Sequence, residues 1–135
     1  MERARNEISV KNKYWISKHR YLELKHFCLQ YSEWKRLYNS ISELPPSKSI
    51  VEPGNDSSDG YFMEKTAINR GELLRQMDMV EMAAKLTDAY LYPFIFKAVT
   101  QGAGYTALHE SGMACGKDMF YDRYHKFFWL LDKAR

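Results

Sequence analysis

Two cysteines, Cys28 and Cys115, are the whole of this chain's thiol chemistry. They lie far apart and without CxxC spacing, which excludes a disulfide-stapled framework and a cysteine-rich zinc centre. With no leader-like segment and no apolar run of transmembrane length, the expected setting is cytoplasmic and reduced, with no membrane partner. The four histidines supply no metal site: His19 and His26 are seven residues apart, His109 and His125 fall on different predicted helices, and no HExxH motif occurs. Nothing marks a base beside either thiol, although a turn position near a helix start gives Cys115 the conditions for a lowered pKa. Gly102 and Gly104 make only GxG, so there is no phosphate loop. No catalytic residue, no cofactor and no enzyme are expected. Strand-length alternation is missing as well, which leaves an all-α fold: a small helical domain with a C-terminal helix-turn-helix and a flexible central loop.

Aromatic residues, by contrast, are plentiful. Ten Tyr, seven Phe and three Trp make up 15% of 135 residues, a length that buries about two thirds of its unfolded surface without metal or disulfide. Net charge is +3 and uneven: residues 1–42 carry nine Lys/Arg against four Asp/Glu, residues 43–88 five against nine, and residues 89–135 six against four. Basic ends around an acidic middle suit a polyanion partner, and a solvated mixed-charge surface gives the same pattern by chance.

The chain reads as three stretches. Residues 1–42 form a basic, aromatic helical unit, with Trp15, Leu22 and Leu29 at heptad separation and Trp34, Leu37, Tyr38 and Ile41 at helical spacing after a break at Tyr31 and Ser32. Residues 43–60, ELPPSKSIVEPGNDSSDG, have paired prolines, a Pro-Gly step and no apolar period, and read as a flexible linker. Residues 61–135 form a helical domain. Its first helix runs from about Met63 to Thr87, with Leu73, Met77, Val80 and Ala84 on one stripe widened by Met79, Met82, Ala83 and Leu86. Asp88 caps the next, which starts near Tyr92 with Pro93 in its first turn and stops at Gln101 to Gly104.

The last 30 residues have the outline of a helix-turn-helix at about 105–133. A short apolar helix, Tyr105 to Glu110, is followed by Gly112, the residue best able to take a left-handed C′ position, and Cys115 or Gly116 then caps a longer helix from Lys117. Phe120, Tyr124, Phe127, Phe128 and Leu131 mark that helix's buried face. Lys117, Asp118, Asp122, His125, Lys126 and Lys133 mark the opposite one, with Tyr121 and Arg123 at its edges. A turn longer than the standard one is needed to keep Asp118 out of an apolar position. The run Phe127, Phe128, Trp129 cannot face one side of a helix, so Phe127 and Trp129 are candidates for an interface and a homodimer.

Two stretches, Tyr14-Trp15-Ile16-Ser17-Lys18-His19-Arg20-Tyr21 and Cys115-Gly116-Lys117-Asp118-Met119-Phe120-Tyr121-Asp122-Arg123-Tyr124 with the Phe127 to Leu131 ending, resemble small prophage-encoded proteins of Firmicutes. The ending is also similar in layout to phage late-transcription regulators of the RinA and ArpU type, whose C-terminal helix-turn-helix resembles a sigma-factor promoter-binding module. The resemblance implies a bacterial or phage-encoded DNA-binding regulator. Double-stranded DNA would meet Lys117, Tyr121, Arg123 and Lys126, and Gly112 and Gly116 would shape the turn. In a sequence-specific DNA-binding regulator the basic amino-terminal unit would touch phosphates or RNA polymerase. An αα-corner has the same outline without touching DNA, which leaves a second reading: a helical protein-interaction module docking through rings around Trp129, Trp34 and Tyr38.

Overall fold

The computed structural model describes the backbone of residues 11–43 and 57–135 and the side chains of residues 11–41 and 70–135. All regular structure among them is helical: α1 (Lys18–Leu29), α2 (Tyr31–Glu43), α3 (Ser57–Thr87), α4 (Tyr92–Gln101), α5 (Tyr105–Glu110) and α6 (Lys117–Ala134). The all-α reading of the sequence is therefore met. Of the expected linker, residues 44–56 lie outside the described residues, and residues 57–60 belong to α3, which starts about a turn and a half before Met63.

The chain divides into two compact units, though not at the linker. Residues 11–31 and 79–135 form one, and Ser32–Asp78 the other. The reason is that α1 packs against α4 and α6, so the amino-terminal segment belongs with the carboxyl-terminal helices. In the Ser32–Asp78 unit Trp34, Leu73 and Met77 are buried, and the Arg70 guanidinium stands 5.1 Å from the centroid of the half-buried Tyr38 ring.

Ser17 starts α1. Its backbone is extended and its hydroxyl accepts the Arg20 N–H at 3.3 Å, so the helix begins at Lys18 and the segment before it is a turn. This displaces the heptad reading: Trp15 is 43% exposed, Leu22 and Leu29 are half-buried, and the buried stripe is Tyr21, Leu24, Phe27 and Cys28. Apolar residues surround most of α1, so spacing by itself did not single out the inner face. On α3, Val80, Ala83 and Ala84 are buried as expected, whereas Met82 and Leu86 are 56% and 62% exposed.

Between α1 and α6 lies a seam of rings. Tyr21 meets Phe128 edge to face at 5.1 Å, Tyr124 meets Phe128 the same way at 5.1 Å, and the Tyr21 and Tyr124 hydroxyls are 3.4 Å apart. Each edge-to-face pair adds about 0.5–1.5 kcal/mol beyond area burial. Burial also drives the Tyr124 phenol and the Cys28 thiol well above their ordinary pKa values, so both stay neutral. At the seam's rim Arg20 donates from Nε to Asp132 at 2.6 Å and from a terminal nitrogen to Glu23 at 2.7 Å. Phe128 is fully buried, so Phe128→Ala is expected to lower unfolding free energy by about 3–5 kcal/mol in urea titration. A loss below about 1 kcal/mol would show that the seam is not central to the fold.

Candidate nucleic-acid interface

The corner between α5 and α6 is built residue by residue. Ser111 ends α5, Gly112 follows at φ 117°, Gly112 N–H donates to His109 C=O at 3.1 Å and Met113 N–H to Leu108 C=O at 3.1 Å. These are the two crossed bonds of a Schellman motif, with Leu108 and Met113 as its buried apolar pair. Beyond Gly112 and its two chain neighbours no atom lies within 4 Å of where a Gly112 Cβ would sit, so glycine is needed there for conformation alone.

From Met113 the chain runs to Gly116, the α6 N-cap, whose backbone is extended. Tyr105 donates its hydroxyl to Cys115 C=O at 2.8 Å, and Ala114 N–H donates to the Tyr90 hydroxyl at 3.0 Å. The turn is thus longer than the standard one and pinned from α5 and from the α3–α4 connection. Cys115 does not have a lowered pKa: burial, aided by the nearby Asp88 charge, raises it.

α6 is embedded unequally. Phe120, Tyr124, Phe127, Phe128 and Leu131 are all buried, as is His125, which the spacing had placed on the outer face. The first turn stays open, with Lys117, Asp118 and Met119 exposed and Met119 at 49%.

The four predicted DNA contacts separate accordingly. Lys117 is exposed on that first turn, and Lys126 is half-buried farther along. Tyr121 packs on Phe120 and Tyr124 and lines a cavity of about 280 Å³ with Lys25 and the Gly102 to Gly104 loop. Arg123 is engaged inside the chain: its Nε donates to Asp88 at 3.0 Å and a terminal nitrogen donates to Asp122. Of the two interface candidates, Phe127 is fully buried and offers no surface, and Trp129 is half-buried between the Tyr14 edge at 5.4 Å and Lys133 Nζ at 4.2 Å. Trp34 is buried, which removes it from the docking surface imagined for the second reading.

Asp88 is the group that spacing undervalued. The α4 N-cap is Leu91, and the Asp88 carboxylate sits ahead of it, accepting Tyr90 N–H at 2.9 Å and Leu91 N–H at 2.8 Å together with Arg123. Burial by itself raises the Asp88 pKa, and those three bonds outweigh it, holding the carboxyl below its ordinary value. No group of His, Cys, Asp and Glu among the described residues is arranged to hold a metal ion, and no helix among them is long and apolar enough to cross a membrane. Comparison with known proteins returns no matching family model, no similar curated protein and no similar solved structure.

Two outcomes follow from this geometry. Gly112→Ala is expected to cost about 1–2 kcal/mol in chemical denaturation, since alanine is strained at this φ, and an unchanged midpoint would contradict the turn assignment. Because the folded Asp88 carboxyl titrates below its unfolded value, its stabilisation is complete above the unfolded pKa and is lost as pH falls through the folded one. Melts of Asp88→Asn and the native chain should therefore differ fully above the ordinary carboxylate range and converge only as pH falls through the depressed Asp88 pKa, and a constant difference would contradict this role.

Proposed function

We propose that the chain is a DNA-binding regulator that presents the amino-terminal turn of α6 to the major groove of duplex DNA. The observation that carries this reading is the unequal embedding of α6: its later turns are anchored in a ring-lined core, while Lys117, Asp118 and Met119 are exposed beyond a fixed turn. A recognition helix needs this division, because its first residues must reach base edges while the rest of the domain holds its angle. Lys117 suits guanine O6 and N7, Asp118 suits the cytosine amino group, and Met119 offers an apolar contact for a thymine methyl. Lys126 lies farther along, where a phosphate contact is the simpler use. Arg123 becomes a positioning residue, holding α6 to the α3–α4 turn through Asp88. The sequence resemblance supports a phage-type regulator, and the basic amino-terminal segment would touch phosphates or RNA polymerase.

A second reading has its own observation. Met82, Leu86, Tyr90 and Met119 are 56%, 62%, 52% and 49% exposed, and Asp88 and Arg123 link the segments that carry the last three. Large apolar residues exposed on segments joined in this way suit a protein partner. Selection from a random duplex pool, followed by anisotropy on the selected duplex and a scrambled control, separates the two. Under the DNA reading Lys117→Ala weakens selective binding by about 1–3 kcal/mol and Leu86→Asp leaves it unchanged. Failure to enrich any duplex at low salt, or identical binding by Lys117→Ala, rejects it.

A further inference from the structure

Just before α1 the chain makes a tight turn around Asn12. The Asn12 backbone carbonyl accepts Trp15 N–H at 3.0 Å, and its side-chain carbonyl accepts Tyr14 N–H at 2.7 Å. Tyr14 packs its ring against Trp129 at 5.4 Å and Ile16 is buried, so the Trp15 backbone is held between two anchored neighbours while its side chain is 43% exposed. A backbone held in this way presents an exposed indole with less chain freedom left for binding to remove.

The surroundings are cationic. Lys13 Nζ stands 5.1 Å from the Tyr14 ring centroid and Lys133 Nζ 4.2 Å from that of Trp129. Lys18 and His19 are exposed on the first turn of α1, which contains no acidic residue. The carboxylates on this side, Glu23 and Asp132, are occupied by Arg20 at 2.7 and 2.6 Å, with Arg135 also reaching Glu23 at 3.8 Å. Residues 11–31 carry five Lys/Arg against one acid.

We propose that Trp15, Tyr14 and Trp129, with Lys13, Lys18 and Lys133, form a second surface that binds single-stranded nucleic acid. Unpaired bases expose the flat faces on which an indole stacks, which a duplex hides within its stack, and the lysines meet the adjoining phosphates. An acidic peptide would use the charges and leave the exposed indole without a function. The surface is separate from the groove-facing turn: Trp129 lies twelve residues along α6 from Lys117, about 18 Å at the helical rise. It stands independently of the duplex reading.

The test is anisotropy of a labelled twelve-nucleotide oligothymidylate titrated with the full chain across a salt series. Binding is expected to weaken as salt rises. Trp15→Ala should reduce affinity about ten-fold or more and Trp15→Phe much less, and Lys13→Ala with Lys133→Ala should flatten the salt dependence. Lys117→Ala should leave this binding unchanged even if it abolishes duplex recognition, which keeps the two proposals distinguishable. Absence of binding at low salt, indifference to Trp15→Ala, or equal affinity for inorganic polyphosphate of similar charge would each overturn the proposal.

Discussion

α6 has to bury a band of large rings, from Phe120 through Tyr124, Phe127 and Phe128 to Leu131, and α1 supplies much of the surface that covers it. The edge-to-face contact of Tyr21 with Phe128 and the approach of the Tyr21 and Tyr124 hydroxyls fix how the two helices meet, and the Arg20–Asp132 pair closes the rim. Because these rings begin at the fourth position of α6, the turn before them lies outside the aromatic band, and its one large apolar side chain, Met119, stays 49% exposed. Its exposure follows from where the aromatic band starts, and that exposed turn is what the functional proposal uses.

Packing and electrostatics meet at Asp88. A carboxylate that accepts two backbone N–H groups of the α3–α4 turn and the Arg123 guanidinium fastens that turn to α6. It also removes from the candidate interface the arginine best suited by chemistry to read guanine. An arginine so engaged must give up its internal pair before it can contact DNA. This makes Lys117, a flexible point charge on an open turn, the better contact.

Where the sequence carried a local physical rule, the structure could be foreseen. Gly112 after a short helix announced the turn, Pro93 with the Gly102 to Gly104 run bounded α4, and the spacing of Phe120, Tyr124, Phe127, Phe128 and Leu131 named the inner face of α6. Where the outcome depended on partners distant in sequence, it was not legible. The heptad of Trp15, Leu22 and Leu29 pointed to the wrong face of α1, because the helix begins only at Lys18 and its apolar residues spread over more than half of its circumference. Met82 and Leu86 match a buried stripe in spacing yet face water, and nothing local to Arg123 reveals that Asp88 holds it. The division into units was hidden for the same reason, since only the packing of α1 on α4 and α6 joins the two ends of the chain. Of the four expected contacts, Lys117 is exposed on the first turn, Lys126 is half-buried farther along α6, Tyr121 lines a cavity and Arg123 is paired with Asp88.

Amide chemical-shift mapping of the isotope-labelled chain, titrated with a duplex recovered by selection, tests the central claim most directly. The account predicts that the largest shifts fall on Gly116 to Met119, with smaller ones near Lys126 and little change at Phe127 to Leu131. Shifts that avoid the first turn of α6, or a titration that leaves the whole spectrum unmoved, would contradict it.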